Sequence, residues 1–195
     1  MIYLAEHEIG FDAGEIGFPS ISGCRAIVLV TDGGLFGYHL AGKMKQIRMD
    51  NLLHFVDHHP QGGSPKKNLY VACMAPAGGS AADWAYQEAR FIANRLGYYG
   101  TMYYASCDKY VGSVYVHFQD LNHATCIISA RQWDRGVDGQ DANKVNYVAG
   151  PNRGIAEGRA PSKMFNNQDL AQLKVIYPTK IPPGKPPKLE DISKF

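Results

Sequence analysis

Residues 25–41 read RAIVLVTDGGLFGYHLA, and this run constrains the fold more than any other segment. Arg25 to Thr31 is rich in β-branched residues and reads as a strand. Asp32-Gly33-Gly34 then reads as a tight turn, because glycine tolerates the positive φ that such turns need. Leu35 to Ala41 reads as the returning strand. A hairpin of this kind needs partners on its edges and cover on its faces, so the remaining chain must supply both.

It has the material to do so. Asp50 to His59 starts with a capping Asp50 or Asn51 and reads as a short helix stopped by Pro60. Asn68 to Met74 is a further strand. The strongest helix follows: Ser80 can cap it, and Asp83 lies in its first turn. Trp84, Glu88, Phe91, Ile92, Arg95 and Leu96 then recur at helical spacing before Gly97 closes it. Thr101 to Ala105, Ser113 to Phe118, Thr125 to Ala130 and Lys174 to Tyr177 read as strands. Arg131 to Asp169 is Gly-rich and polar, as long surface loops with one short helix would be. From residue 178 the chain carries five of its eleven prolines and reads as an extended tail, polyproline-like or laid along the surface. The sum is a single α+β domain, residues 1–177, with a Pro/Lys-rich tail over 178–195. Its core is a mixed or antiparallel β-sheet, or a sandwich, flanked by a few helices.

Composition narrows the functional classes. The 195 residues are 45% apolar and 19% charged, with 20 basic against 18 acidic side chains. So balanced a charge argues against nucleic-acid binding driven by bulk charge and against an acidic disordered chain. Cys24, Cys73, Cys107 and Cys126 have no CxxC spacing, which disfavours a zinc ribbon or a disulfide scaffold. Met1 to Gly10 lacks the basic residues of a signal peptide, and Ala26 to Val30 is too short to span a bilayer. The expectation is a chain of the reducing cytosol without membrane partner, metal or cofactor. Delivery into another cell without a signal peptide would leave no mark in the sequence, and neither would oligomeric state.

Ser22-Gly23-Cys24 immediately precedes the first hairpin strand, and His39 lies fifteen residues after Cys24 on the second. With a turn centred on Asp32-Gly33, Cys24 falls opposite Ala41 and diagonal to His39, on the same face of the sheet. Diagonal neighbours are roughly 7–8 Å apart at the backbone, a gap that Cys and His side chains can bridge. An imidazole there can take the thiol proton, and backbone N–H groups of the Ser22-Gly23-Cys24 loop can hold an oxyanion. The pairing predicts a Cys24 sulfur within about 4 Å of a His39 ring nitrogen, at the base of an open cleft. The plain alternative is packing, since free cysteines and strand histidines are commonly buried.

The run SGCRAIVLVTDGGLFGYHLAG resembles the catalytic core of the cysteine glutamine deamidases. That group includes the cytotoxic necrotizing factor catalytic domains, the Burkholderia lethal factor and, more distantly, the chemotaxis deamidase CheD. The resemblance covers roughly residues 20–42, and beyond it only the order of elements is compatible. It implies a bacterial effector or toxin that converts a protein glutamine to glutamate through a Cys24 thioester, with His39 as base. Water would complete deamidation, whereas a primary amine would make the enzyme a transglutaminase. A cysteine protease would share the dyad. Some members of the group carry a Thr six residues before the Cys as a third catalytic group. Phe18 stands there in this chain, so the resemblance transfers that role to a backbone carbonyl between Phe18 and Ser20 or to the Ser20 hydroxyl.

Other signals point elsewhere with less force. His54 and His58 share a helix face beside Asp57 and His59, but Phe55 occupies the position where a zincin needs Glu. Ala77-Gly78-Gly79-Ser80 resembles an anion-binding helix start without the P-loop lysine, and a loop with an N-cap accounts for it. Tyr98, Tyr99, Tyr103 and Tyr104 lack the interleaved basic residues of a single-strand nucleic-acid surface. Cys107, with His117 and His123 downstream, is the competing nucleophile; Cys73 and Cys126 read as structural. Recognition of a protein partner is expected from the loops within Gly62 to Lys67 and Arg131 to Lys163. The rival from another class is a non-catalytic binding module whose tail from Pro178 docks a partner.

Overall fold

The computed structural model describes residues 1–74, 81–134 and 172–192, with the side chains of Ala81 and Ala82 excepted. The strands are β1 (Ile2–Tyr3), β2 (Ile9–Asp12), β3 (Glu15–Ile21), β4 (Arg25–Thr31), β5 (Gly34–Leu40), β6 (Lys66–Cys73), β7 (Thr101–Ser106), β8 (Val114–Asp120), β9 (Cys126–Gln132), β10 (Lys174–Ile176) and β11 (Thr179–Lys180). The helices are α1 (Gln46–His58), α2 (Ala81–Arg95) and the single turn α3 (Leu189–Ile192). They form an α+β domain built on two mixed sheets, one of six strands in the order β11-β7-β6-β4-β5-β2 and one of five in the order β1-β3-β8-β9-β10.

The hairpin is the middle of the six-stranded sheet. Every residue of β4 and β5 is buried, which is why RAIVLVT carries apolar side chains on both faces instead of alternating with polar ones. One face, with Ile27, Leu29, Phe36, Tyr38 and Leu40, packs under α1 and α2. The other, with Cys24, Ala26, Val28, Val30 and Ala41, meets Ile16, Phe18, Val116, Phe118 and Ile128 of the five-stranded sheet. Helices, large sheet and small sheet thus make three layers around two apolar interiors. At Gly37 the sheets approach so closely that a Cβ would lie 2.8 Å from Leu4 and 2.9 Å from Ile16.

The turn is a two-residue loop, with Thr31 paired to Gly34. Its positive φ falls on Gly34 (134°), the first residue of the returning strand, where the backbone of Asp12 and Ala13 also leaves no room for a side chain. The strands β6 and β7 run parallel, joined through α2, whereas β4 pairs antiparallel with both its neighbours.

Several boundaries differ from the sequence expectation. Helix α1 begins at Gln46 with Lys45 at its N-cap and no side-chain cap. Asp50 therefore lies inside the helix, where its carboxylate pairs with Arg95 of α2. The strands β1, β2 and β3 were not expected, because the Gly-rich segment 9–21 has no clear alternation to mark them. Residues 179–192 are mostly exposed and run along the surface, as expected of the tail, but they are tied to the domain where β11 pairs with β7 and where Ile181 and Ile192 are buried. The Ala77–Ser80 helix start and most of the 131–169 loop region lie outside the described residues.

One polar pair ties the layers together. Arg25 points from β4 into the helical layer, where its guanidinium makes two 2.7 Å hydrogen bonds to the Glu88 carboxylate on α2. The indole of Trp84 lies over it at 4.5 Å. The remaining nitrogen donates to the carbonyls of Gly23 at 3.0 Å and Gly42 at 2.8 Å. Removing one partner from a buried pair leaves an uncompensated charge, at a cost of about 3–5 kcal/mol. Glu88→Ala is expected to lower stability by that amount in urea unfolding, and a loss below about 1 kcal/mol would show that the pair does not hold the layers.

Candidate functional site

The site is assembled from the ends of β4 and β5 and from the segment before β2. In the observed register Arg25 pairs with Leu40 and Ala26 with His39. Extending it by one step sets Cys24 opposite Ala41, so Cys24 and His39 share the face toward the five-stranded sheet. Arg25 alternates to the opposite face, and its bonds to Gly23 and Gly42 fix the chain on both sides of that pair.

His39 is fully buried, with the Phe18 ring edge-on at 6.1 Å. Its Nδ1 lies 2.8 Å from the carbonyl oxygen of Leu4. A carbonyl can only accept, so Nδ1 carries the proton and Nε2 is left with its lone pair. Among the described residues Nε2 has no hydrogen-bond partner. Burial pushes the imidazole down to about 4; the Leu4 carbonyl and the Glu6 carboxylate oppose that shift, and His7 adds to it. The ring is therefore neutral at pH 7.

The segment Leu4–Glu8 forms the wall beside these residues. It is tied to β5 by backbone hydrogen bonds from His7 to the His39 carbonyl (2.7 Å) and from His39 to the Glu8 carbonyl (3.0 Å). The buried Glu8 carboxylate accepts from the Ala5 N–H at 2.7 Å and closes the turn, in which His7 adopts a φ of 67°. This geometry brings Glu6 Oε1 to 3.8 Å from Cys24 Sγ, a long S–H···O contact. The thiol is thus turned to Glu6, and the expected thiol–imidazole hydrogen bond is not made.

The other sequence candidates fall around this centre. Phe18 packs on His39, and Ser20 is buried in an irregularity of the β3–β8 pairing, with a φ of 58°. The carbonyl that holds His39 belongs to Leu4 and not to the 18–20 segment. Gly23 is exposed, and a Cβ there would meet nothing within 4 Å. Ser22 lines a cavity of about 460 Å³ with Val111, Ser113, Gln132 and Trp133. That cavity opens two residues from Cys24, whose own side chain is only 4% exposed. Leu4 and Glu6 went unnoticed in the sequence, because only the unexpected pairing of β2 with β5 brings them to the hairpin. The Glu-His-Glu run at 6–8 was the one available signal.

Competing features disperse. Cys107 is fully buried, and burial with nearby Asp108 pushes its thiol up to about 12. His117 is held between Tyr115 (3.0 Å) and Glu15 (3.5 Å), and His123 pairs with Asp120 at 2.8 Å. The rings of His54 and His58 stack at 4.0 Å, while His59 packs on Phe11, Phe36 and Phe55. No group of three metal-ligating side chains occurs among the described residues. The loop Gly62–Lys67 packs at the Asp32 turn, through Lys67–Asp32 (3.0 Å) and Pro65. It lies a strand length, about 20 Å, from Cys24.

The buried imidazole has a stability signature. Its folded pKa of about 4 lies below the ordinary 6.5. Between those values the unfolded chain takes up a proton that the folded chain refuses. Stability from this group is therefore complete above pH about 6.5 and is lost as pH falls toward 4, by about 3 kcal/mol in all. Burial lowers His7 and His117 as well, so they act in the same direction. Urea unfolding at stepped pH should show a shallower acid loss in His39→Phe than in the wild type; equal slopes would contradict the assignment.

No protein-family model matches the chain, and no curated protein matches it in sequence.

Proposed function

We propose that the chain is a protein glutamine deamidase, a cysteine amidohydrolase that acts through Cys24 and His39. The observation that carries this reading is the state of His39: neutral, fixed through Nδ1, and with an unpartnered Nε2 on the sheet face that it shares with Cys24. A buried polar nitrogen costs free energy when left unsatisfied, and a general base is a role that requires a free lone pair.

In this reading the Cys24 thiol rotates from Glu6 and gives its proton to Nε2, so that thiolate and imidazolium stabilise each other as an ion pair. The thiolate attacks the glutamine carboxamide carbon, forming a C–S bond and moving the C=O pair onto oxygen. Backbone N–H groups of the exposed Gly23 turn are suited to receive that oxyanion. Collapse breaks the C–N bond, and the imidazolium proton leaves on ammonia. His39 then takes a proton from water, hydroxide adds to the thioester, and the proton returns to sulfur as glutamate departs. The resemblance of residues 20–42 to the cysteine glutamine deamidases supports the same chemistry and suggests a bacterial effector or toxin acting on a protein in another cell's cytosol.

A non-catalytic binding module is the second reading. It is favoured by the burial of both Cys24 and His39, and by a cavity of about 410 Å³ that the C-terminal segment encloses against α2 and β7. Intact-mass and peptide mapping of candidate target proteins separate the two. Wild-type protein is expected to convert a specific glutamine to glutamate, a gain of about 1 Da, and Cys24→Ser to abolish the conversion by at least 10³-fold. Conversion that persists in Cys24→Ser would exclude the thioester route.

A further inference from the structure

We infer that Glu6 is a specificity-determining residue that admits a neutral carboxamide to Cys24 and rejects a carboxylate. The inference rests on the deamidase reading and extends it to the discrimination between substrate and product.

The argument starts from position. Glu6 Oε1 is 3.8 Å from Cys24 Sγ, so any group that bonds to the sulfur must pass next to this carboxylate. Glutamine and glutamate have nearly the same shape at the reacting end and differ in charge and in donors. A carboxamide brings two N–H donors that a carboxylate can accept, whereas a product carboxylate meets a like charge at close range. His39 and His7 both have pKa values lowered by burial and are neutral at pH 7. Arg48, the nearby cation, donates from Nη1 to the carbonyls of Ala41 and Lys43.

The backbone that carries Glu6 is also held in place. Its segment is pinned to β5 on either side of it, by Leu4 through the His39 ring and by His7 and Glu8 through the His39 backbone. A carboxylate carried on that backbone stays near any anion that reaches the sulfur. It therefore opposes binding of glutamate before the reaction and favours its departure afterward.

Two alkylating reagents of the same shape test this without knowledge of the target protein. Iodoacetamide is neutral and iodoacetate is anionic. Each forms an S–C bond to the thiolate with loss of iodide, after the thiol proton passes to buffer. Rates at Cys24 are read by peptide mapping at neutral pH, with glutathione in the same buffer as reference. The folded wild type is expected to favour iodoacetamide over iodoacetate by about tenfold more than glutathione does. Glu6→Gln should bring the ratio to within about threefold of glutathione, and Glu6→Asp should keep most of the preference.

A wild-type ratio equal to that of glutathione, or one that Glu6→Gln leaves unchanged, overturns the inference. The urea-unfolded wild type gives a second comparison that needs no variant: its ratio should fall to the glutathione value, and a ratio no lower than that of the folded chain also overturns the inference. The deamidase reading is tested by a different variant. His39→Ala should slow both reagents alike and leave their ratio high; rates unchanged by His39→Ala count against the dyad, whatever the ratio shows. Failure of both reagents to label Cys24 in the folded chain counts against both readings.

Discussion

The guanidinium of Arg25 is the point from which the site is built. Two of its nitrogens are spent on Glu88, which docks α2 onto the large sheet, and one reaches the carbonyls of Gly23 and Gly42. Those glycines sit immediately before Cys24 and immediately after Ala41. The same side chain therefore joins the helical layer to the two backbone corners that frame the thiol. A planar fork with five donors can do this, whereas a lysine ammonium lacks the fixed geometry to serve two carbonyl oxygens and a bidentate carboxylate together. Because Cys24 immediately precedes Arg25 at the start of β4, the contact that orders the loop lies on the opposite face of the sheet from the thiol and does not compete with it.

The second half of the site comes from the segment before β2. The hairpin alone sets Cys24 and His39 on one face, but it decides neither the tautomer of the imidazole nor the direction of the thiol. Leu4 decides the first through its carbonyl, and Glu6 acts on the second through its carboxylate. The β2–β5 pairing holds both in place. Cys24 and His39 therefore rest at the central strands, while their settings are fixed by an edge strand and the turn leading into it.

How much of this could be read in the sequence follows from the same division. The hairpin was legible because β-branched residues, an Asp-Gly-Gly turn and the returning strand agree, and the observed register sets Cys24 opposite Ala41. Helix α2 was legible from its periodicity. The start of α1 was not, because Asp50 looks like a cap but serves as the partner of Arg95 in a tertiary ion pair. Strands β1 to β3 were hidden by glycines that the structure needs for other reasons. At Gly17, for example, a Cβ would strike the side chains of Tyr115 and Tyr3. The buried Arg25–Glu88 pair joins residues 63 apart in sequence, and no local pattern announces it.

The bond from His39 to Leu4 has a practical side. The atom that selects the tautomer is a main-chain oxygen, and it is present whichever amino acid stands at position 4. A scan that replaces side chains one at a time would pass over residue 4 and record at most a packing defect. Only a change that shifts the chain, such as a deletion between β1 and β2 or a proline that redirects the turn, would move that oxygen off the ring. The choice of tautomer is thus encoded in the path of the backbone, and substitutions can erode the packing around it while leaving the instruction intact.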